Sequence, residues 1–236
     1  MVQAAGGPIV AVTGGNRGIG FEICRQLAAR ATRVLLTARK TAAGTAAIEK
    51  LAKEKLAAEF HPLDVTDGKS ITALRDFLRD RYGHLDVLIN NAGIIAKGED
   101  NALKVDLATV RATLETNTFG PLHLAQELVP LLRCSKSGRI INVSSGMGEL
   151  NNNSGGHAAY RLSKTALNGI TATLAAELRG SVAVNSVCPG WVRTDMGGPH
   201  ADLDVAGGAD SAVWLALDAP QKLTGKFIRE RKVIAW

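Results

Sequence analysis

The chain has 236 residues, of which 46% are hydrophobic and only 4% aromatic, and a net charge of +6. That length suits one well-filled α/β domain spanning 1–236 and is short for two. Lys and Arg are dispersed and aromatics scarce, which excludes a nucleic-acid surface and leaves solubility plus attraction for an anionic ligand. The opening MVQAAGGP lacks the basic start and apolar core of a signal peptide, and no apolar run could span a bilayer. A soluble, cytoplasmic protein with no membrane partner is expected. Cys24, Cys134 and Cys188 are odd in number, far apart and outside metal-ligand spacing, which fits a reducing compartment and no metal site.

Apolar strand-like runs alternate with helix-length stretches along the whole chain. Strands are predicted at residues 9–13, 33–38, 58–63, 87–90, 138–144, 182–187 and 226–229, and helices at 17–29, 41–53, 69–82, 105–132, 158–178 and 209–217. That order implies a doubly wound, mostly parallel sheet of about seven strands with helices on both faces. The segments 146–156 and 190–208 read as the least ordered; both follow strand ends, where open α/β sheets bind ligands, so the second is a candidate substrate loop.

The first unit, PIVAVTGGNRGIGFEICRQL from Pro8 to Leu27, reads as a buried strand, a glycine-rich turn and a helix start. Ile9, Val10, Ala11 and Val12 form the apolar run of a strand covered on both faces. Gly14, Gly18 and Gly20 supply the positive φ, close backbone approach and tight helix–strand packing that a turn around a pyrophosphate needs. The spacing Gly-x-x-x-Gly-x-Gly differs from the common Gly-x-Gly-x-x-Gly fingerprint, and alone it fits a plain tight turn as well. The next strand breaks the tie. Roughly twenty residues on, where an NAD-binding fold places an acid on the ribose 2′-hydroxyl, this chain delivers Arg39 and Lys40. No carboxylate there repels a 2′-phosphate, and Arg17 can close on it from the other side. Single basic residues are usually solvated loop charges; three around one phosphate argue for NADP(H).

Asp64, after the third strand in HPLDVTD, can accept a hydrogen bond from an adenine amino group or simply cap a turn. Asn90-Asn91-Ala92-Gly93 ends the fourth strand, where it can support a ribose or hold a turn. Ser144 and Ser145 end the strand RIINVSS, and Tyr160-Arg161-Leu162-Ser163-Lys164 opens the next long helix. Tyrosine and lysine four apart share one helix face, and a neighbouring ammonium brings a phenol of pKa about 10 towards working range. Tyr-x-x-x-Lys alone often arises by chance as an exposed pair. A serine at an upstream strand end, able to stabilise charge developing on a carbonyl oxygen, changes that balance.

Together TGGNRGIG, Asp64, NNAG, Asn117, NVSS, YRLSK and NSVCPGWVRTDMGG resemble the short-chain dehydrogenase/reductase family, in its carbonyl-reductase-like branch, from Ile9 to the C-terminus. The resemblance implies a single-domain Rossmann fold. It assigns Tyr160 as proton donor in reduction and acceptor in oxidation, and Lys164 as the group that lowers its pKa and holds the nicotinamide ribose. Ser145, more than Ser144, polarises the carbonyl, and Asn117 holds a water that links Lys164 to solvent, unless it merely bends its helix. Cofactor contacts fall to Gly14, Asn16, Arg17, Gly18, Ile19, Gly20, Arg39, Asp64, Val65, Asn91, Ala92 and Gly93. Pro189, Gly190, Val192 and Thr194 border the nicotinamide, alongside Tyr160 and Lys164. Relative to monomeric carbonyl reductases, the segment between Ser145 and Tyr160 lacks a long insertion. That leaves the long helices free to form a homodimer or homotetramer. An NADPH-dependent reductase of a small aldehyde or ketone is the leading expectation. The alternative is a catalytically silent NADP(H)-binding redox sensor, which would be expected to lose the tyrosine or lysine. An epimerase or dehydratase would bring a larger C-terminal domain.

Overall fold

The computed structural model describes residues 6–97, 101–151 and 153–236, so residues 1–5, 98–100 and 152 lie outside the description. The strands β1 (Ile9–Val12), β2 (Arg33–Ala38), β3 (Ala58–Pro62), β4 (Val87–Asn90), β5 (Arg139–Val143), β6 (Ala183–Val187), β7 (Phe227–Arg229) and β8 (Lys232–Ile234) form one sheet. Their order is β3-β2-β1-β4-β5-β6-β7-β8. Pairings from β3 across to β7 are parallel, and β8 alone runs antiparallel, with Phe227 opposite Ile234. This eighth strand was not expected from sequence. Glu230 and Arg231 take φ of 51° and 60°, the two successive positive values of a tight hairpin turn. Neither is the Asn or Gly that announces such a turn.

The helices are α1 (Gly18–Ala28), α2 (Thr41–Lys53), α3 (Gly68–Tyr82), α4 (Leu107–Leu114), α5 (Gly120–Arg133), α6 (Ala158–Glu177) and α7 (Val205–Leu217). The single helix expected over 105–132 is corrected to two, joined by a π turn at Glu115–Phe119. Period-two alternation along the strands feeds two cores. Val10, Val12, Val34, Leu36 and Ile89 join Ile23 and Leu27 of α1, Leu51 of α2 and Ala212 of α7. Ile9, Ala11, Leu35 and Leu88 turn the other way, onto Ile71 and Leu74 of α3 and Leu124 and Leu128 of α5. Each such Leu or Ile contributes about 1.5–3 kcal/mol by leaving water, so burial on both faces holds the helices against the sheet.

The chain builds outward from β1 through β2 to β3, then returns to lay β4 on the other side of β1. Loops at the carboxyl ends of β1 and β4 therefore part, and the crevice between them is where such sheets take ligands. Asp67, Asp106 and Asp204 cap α3, α4 and α7 by accepting from main-chain N–H groups. The starts of α1 and α2 receive no side-chain cap. Both adjoin the crevice.

Candidate active site

A cleft of about 1180 Å³ opens above the carboxyl ends of β1, β4, β5 and β6. Every residue singled out above for catalysis or cofactor contact lines it, except Asn117, which is buried behind it. At one end is the glycine turn. Gly14 and Gly18 have φ of 64° and 54°, and a Cβ on Gly20 would lie 2.3 Å from Asn91 Nδ2 and 2.4 Å from the Gly14 carbonyl oxygen. Glycine is required there because α1 is drawn tight against the ends of β1 and β4. Asn91 ties those ends together, its Nδ2 donating to the Thr13 carbonyl at 2.8 Å. The main-chain N–H groups of Asn91 and Ala92 both donate to Thr13 Oγ1 at 2.9 Å.

Uncapped N–H groups at the start of α1, with exposed Arg39 and Lys40 at the start of α2, give this end a positive character that suits an anion. Arg17 turns the other way: its Nη1 donates to Asp195 Oδ2 at 2.8 Å, across the mouth of the cleft. Asp64 accepts from the Thr66 N–H and hydroxyl at 2.9 and 2.7 Å. Burial pushes its carboxyl up, but those hydrogen bonds and the nearby Arg39 outweigh it and hold it below the usual range.

At the other end, Tyr160 and Lys164 sit one turn apart on α6, 7% and 4% exposed. Lys164 Nζ lies 5.6 Å from the Tyr160 ring centre and donates to the Val143 carbonyl at 2.8 Å. Burial pulls the ammonium down to about 8. It therefore stays mostly charged at neutral pH beside the phenol. Ser144 and Ser145 part company. Ser144 is buried, its hydroxyl 3.5 Å from the Lys164 carbonyl, whereas half-buried Ser145 accepts from the Met147 N–H at 3.1 Å and keeps its O–H for a ligand.

Asn117 occupies the π turn and is fully buried. Its Nδ2 donates to the Ile94 carbonyl and to Ser163 Oγ at 2.9 and 3.0 Å, and its Oδ1 accepts from the Ile94 N–H at 2.9 Å. The carboxamide thus clamps the loop after β4 to α6. Widening the helix by one residue is what lets it reach both, a common use of π turns at functional sites. Among the described residues, no group of three or more His, Cys, Asp or Glu is placed to hold a metal ion.

A sequence model of the family described as short chain dehydrogenase matches residues 8–202. The chain belongs to that family. It is 39% identical to the bovine (Bos taurus) carbonyl reductase (NADPH) 1 over 278 residues, covering 97% of this chain and 98% of the relative. It is 36% identical to (+)-neomenthol dehydrogenase of Arabidopsis thaliana, covering 94% and 96%. The crystal structure of NADPH-bound carbonyl reductase from chicken fatty liver superposes with a TM-score of 0.87 at 32% identity, covering 98% of this chain and 99% of that one. The bovine alignment is longer than the 236 residues here, so that relative carries residues with no counterpart in this chain.

Some parts of this short-chain dehydrogenase cleft had no sequence signal. Ser163 receives Asn117 and donates to the Tyr160 carbonyl at 2.8 Å, and Thr118 donates to the Ser163 carbonyl at 2.9 Å. The i, i+3 spacing of Tyr160 and Ser163 could have suggested the first contact. Arg229 donates through Nε and Nη2 to Cys188 Sγ, both at 3.2 Å, and pairs with Glu149 at 2.7 Å, fixing the base of the loop after β6. Asp195, as Arg17's partner, is separated from it by 178 positions and could not have been paired by eye.

Proposed function

We propose that this short-chain dehydrogenase is an NADPH-dependent carbonyl reductase in which Tyr160 passes its hydroxyl proton to an aldehyde or ketone oxygen. One observation carries the reading: Ser145, just after β5, and Tyr160 and Lys164 of α6 line the same cleft as the glycine turn, the uncapped start of α1 and the basic Arg39 and Lys40. The names and the NADPH-bound structure of its relatives support the same chemistry.

The residues present fit the dinucleotide. Positive φ at Gly14 and Gly18 and the uncapped start of α1 suit its pyrophosphate, and Arg39 with Lys40 its 2′-phosphate. An ion pair as exposed as Arg17–Asp195, with side chains 73% and 80% accessible, is worth under about 1 kcal/mol, so Arg17 can leave Asp195 for that phosphate. Bound NADPH supplies the hydride that the carbonyl carbon accepts. The chain's part is the oxygen. Ser145 donates a hydrogen bond to it and so steadies its growing negative charge. Tyr160 gives up its proton, and the ammonium of Lys164 stabilises the phenolate left behind. Asn117 keeps the loop after β4 and α6 in register, which holds Lys164 and Tyr160 where they act. We propose also that a second copy of the chain covers the outer faces of α4 and α6.

The test is cofactor choice during turnover, followed by the absorbance of the reduced nicotinamide over a panel of aldehydes, ketones and quinones. Wild type is expected to favour NADPH over NADH, because charge-assisted contacts of about 1.5–3 kcal/mol each form only with the 2′-phosphate. Arg39→Asp should erase or reverse the preference. Equal use of both cofactors, or an unchanged ratio in Arg39→Asp, would remove the phosphate assignment. NADPH binding with no reduction anywhere on the panel would favour the redox-sensing alternative.

A further inference from the structure

Two lining segments of the cleft come from different strands: Ser145 and Met147 from the turn after β5, Pro189 and Gly190 from the loop after β6. In the proposed reaction their spacing matters, because Ser145 holds the carbonyl oxygen and Pro189 and Gly190 border the nicotinamide. One side chain from a third segment is bonded to both. Arg229, on β7, donates through Nε and Nη2 to Sγ of Cys188, the residue before Pro189, at 3.2 Å. Its Nη2 also donates at 2.7 Å to Oε1 of Glu149, the residue that closes the turn. The guanidinium lies against Gly146 as well, where a Cβ would come within 2.5 Å of Nη2.

The turn that Arg229 grips is tightly bonded. Ser145 Oγ accepts from the Met147 N–H at 3.1 Å, the Gly148 N–H donates to the Ser145 carbonyl at 2.9 Å, and the Glu149 N–H to the Gly146 carbonyl at 3.2 Å. Helix α6 holds its other side: Thr165 Oγ1 and Asn168 Nδ2 donate to the Gly148 carbonyl at 3.2 and 3.3 Å, and a Cβ on Gly148 would lie 2.9 Å from the Lys164 main chain. The turn is therefore held between Arg229 and the helix that carries Tyr160 and Lys164. The Arg229 and Glu149 side chains are 38% and 11% accessible, so this pair is screened far less than Arg17–Asp195. We propose that Arg229 is a positioning residue: by holding Glu149 and Cys188 at once, its planar fork sets the spacing between Ser145 and the nicotinamide-bordering loop, and it acts on the carbonyl through Ser145. This rests on the carbonyl-reductase reading.

The experiment measures kcat, NADPH affinity by fluorescence titration and urea unfolding in wild type, Arg229→Met, Glu149→Leu, Ser145→Ala and Glu149→Leu with Ser145→Ala. The substrate is whichever of p-nitrobenzaldehyde, acetophenone and menadione wild type reduces fastest, and single turnovers with enzyme in excess read the slow variants. Glu149→Leu frees the turn and leaves the Cys188 contacts, so kcat should fall by about tenfold with NADPH affinity unchanged, a small displacement of a catalytic group being costly. Arg229→Met frees both segments and should weaken NADPH binding as well. In the Ser145→Ala background Glu149→Leu should cost less than about twofold in kcat, because the group it positions is gone; a purely structural effect would cost the same factor with or without the serine. Wild-type kcat in Glu149→Leu, or an equal loss in both backgrounds, overturns the assignment and leaves the reductase reading intact. Should Arg229→Met fail to fold, the Glu149→Leu pair of measurements still decides. Wild type that reduces none of the three with NADPH overturns the reductase reading and this inference with it.

Discussion

Lys164 is the residue at which folding and chemistry pull against each other. The proposed mechanism uses its ammonium beside the Tyr160 phenol, yet burial lowers its pKa from 10.5 to about 8. Between those values the unfolded chain holds the proton and the folded chain has lost it. Stability contributed by this group therefore rises with pH from about 8 to 10.5, and below 8 it carries the full cost of burying the charge. At about 1.4 kcal/mol per pKa unit the span is up to about 3 kcal/mol. Urea unfolding of wild type and Lys164→Met across this range should show wild type gaining on the variant as pH rises; parallel curves would mean that the buried ammonium costs nothing. Ser145 and Ser144 are a different case. Adjacent at a strand end, they are told apart in the sequence by the family resemblance, which favours Ser145; in the structure Ser144 is buried while Ser145 caps the turn at Gly146–Gly148.

At the scale of elements, strands were legible because both faces are buried and the runs IVAV, VLIN and RIINV announce it. The glycine turn was legible because its steric demands leave no other residue, as the Gly20 contact with Asn91 shows. The π turn was not. One extra residue shifts the apolar stripe by a fraction of a turn, and the pattern from Leu107 through Leu132 still reads as one helix. Nor was β8, whose three residues are stabilised by pairing with β7 and by the Arg231 N–H on Ser211 Oγ rather than by any pattern of their own. Helix faces carry the assembly prediction. Leu107, Phe119 and Leu162, on α4, the π turn and α6, are 63%, 47% and 51% exposed, and only fourteen positions separate Ser145 from Tyr160. A symmetric pair through these faces would bury that apolar surface. Light scattering at micromolar concentration should return a multiple of 24.8 kDa, and Leu107→Glu with Leu162→Glu should return the monomer. A monomeric wild type would end the proposal.

Over the whole molecule, the sheet's order does the assembling. Arg39 follows β2, Asn91 follows β4, Ser145 follows β5 and Pro189 follows β6, so one edge of one sheet gathers all four into a single cleft. Parallel strands make this automatic, since all their carboxyl ends lie together. Among the described residues no helix is long and apolar enough to cross a membrane. The cleft's division of labour reduces to one atom, the Tyr160 hydroxyl. Tyr160→Phe removes it and keeps the ring in its buried place, so the fold and NADPH affinity should be those of wild type. Positioned acid catalysis contributes roughly 10²–10⁴-fold, and kcat on any carbonyl that wild type reduces should fall by at least the lower figure. Near-normal turnover in Tyr160→Phe, with NADPH still bound, would rule out Tyr160 as the proton donor.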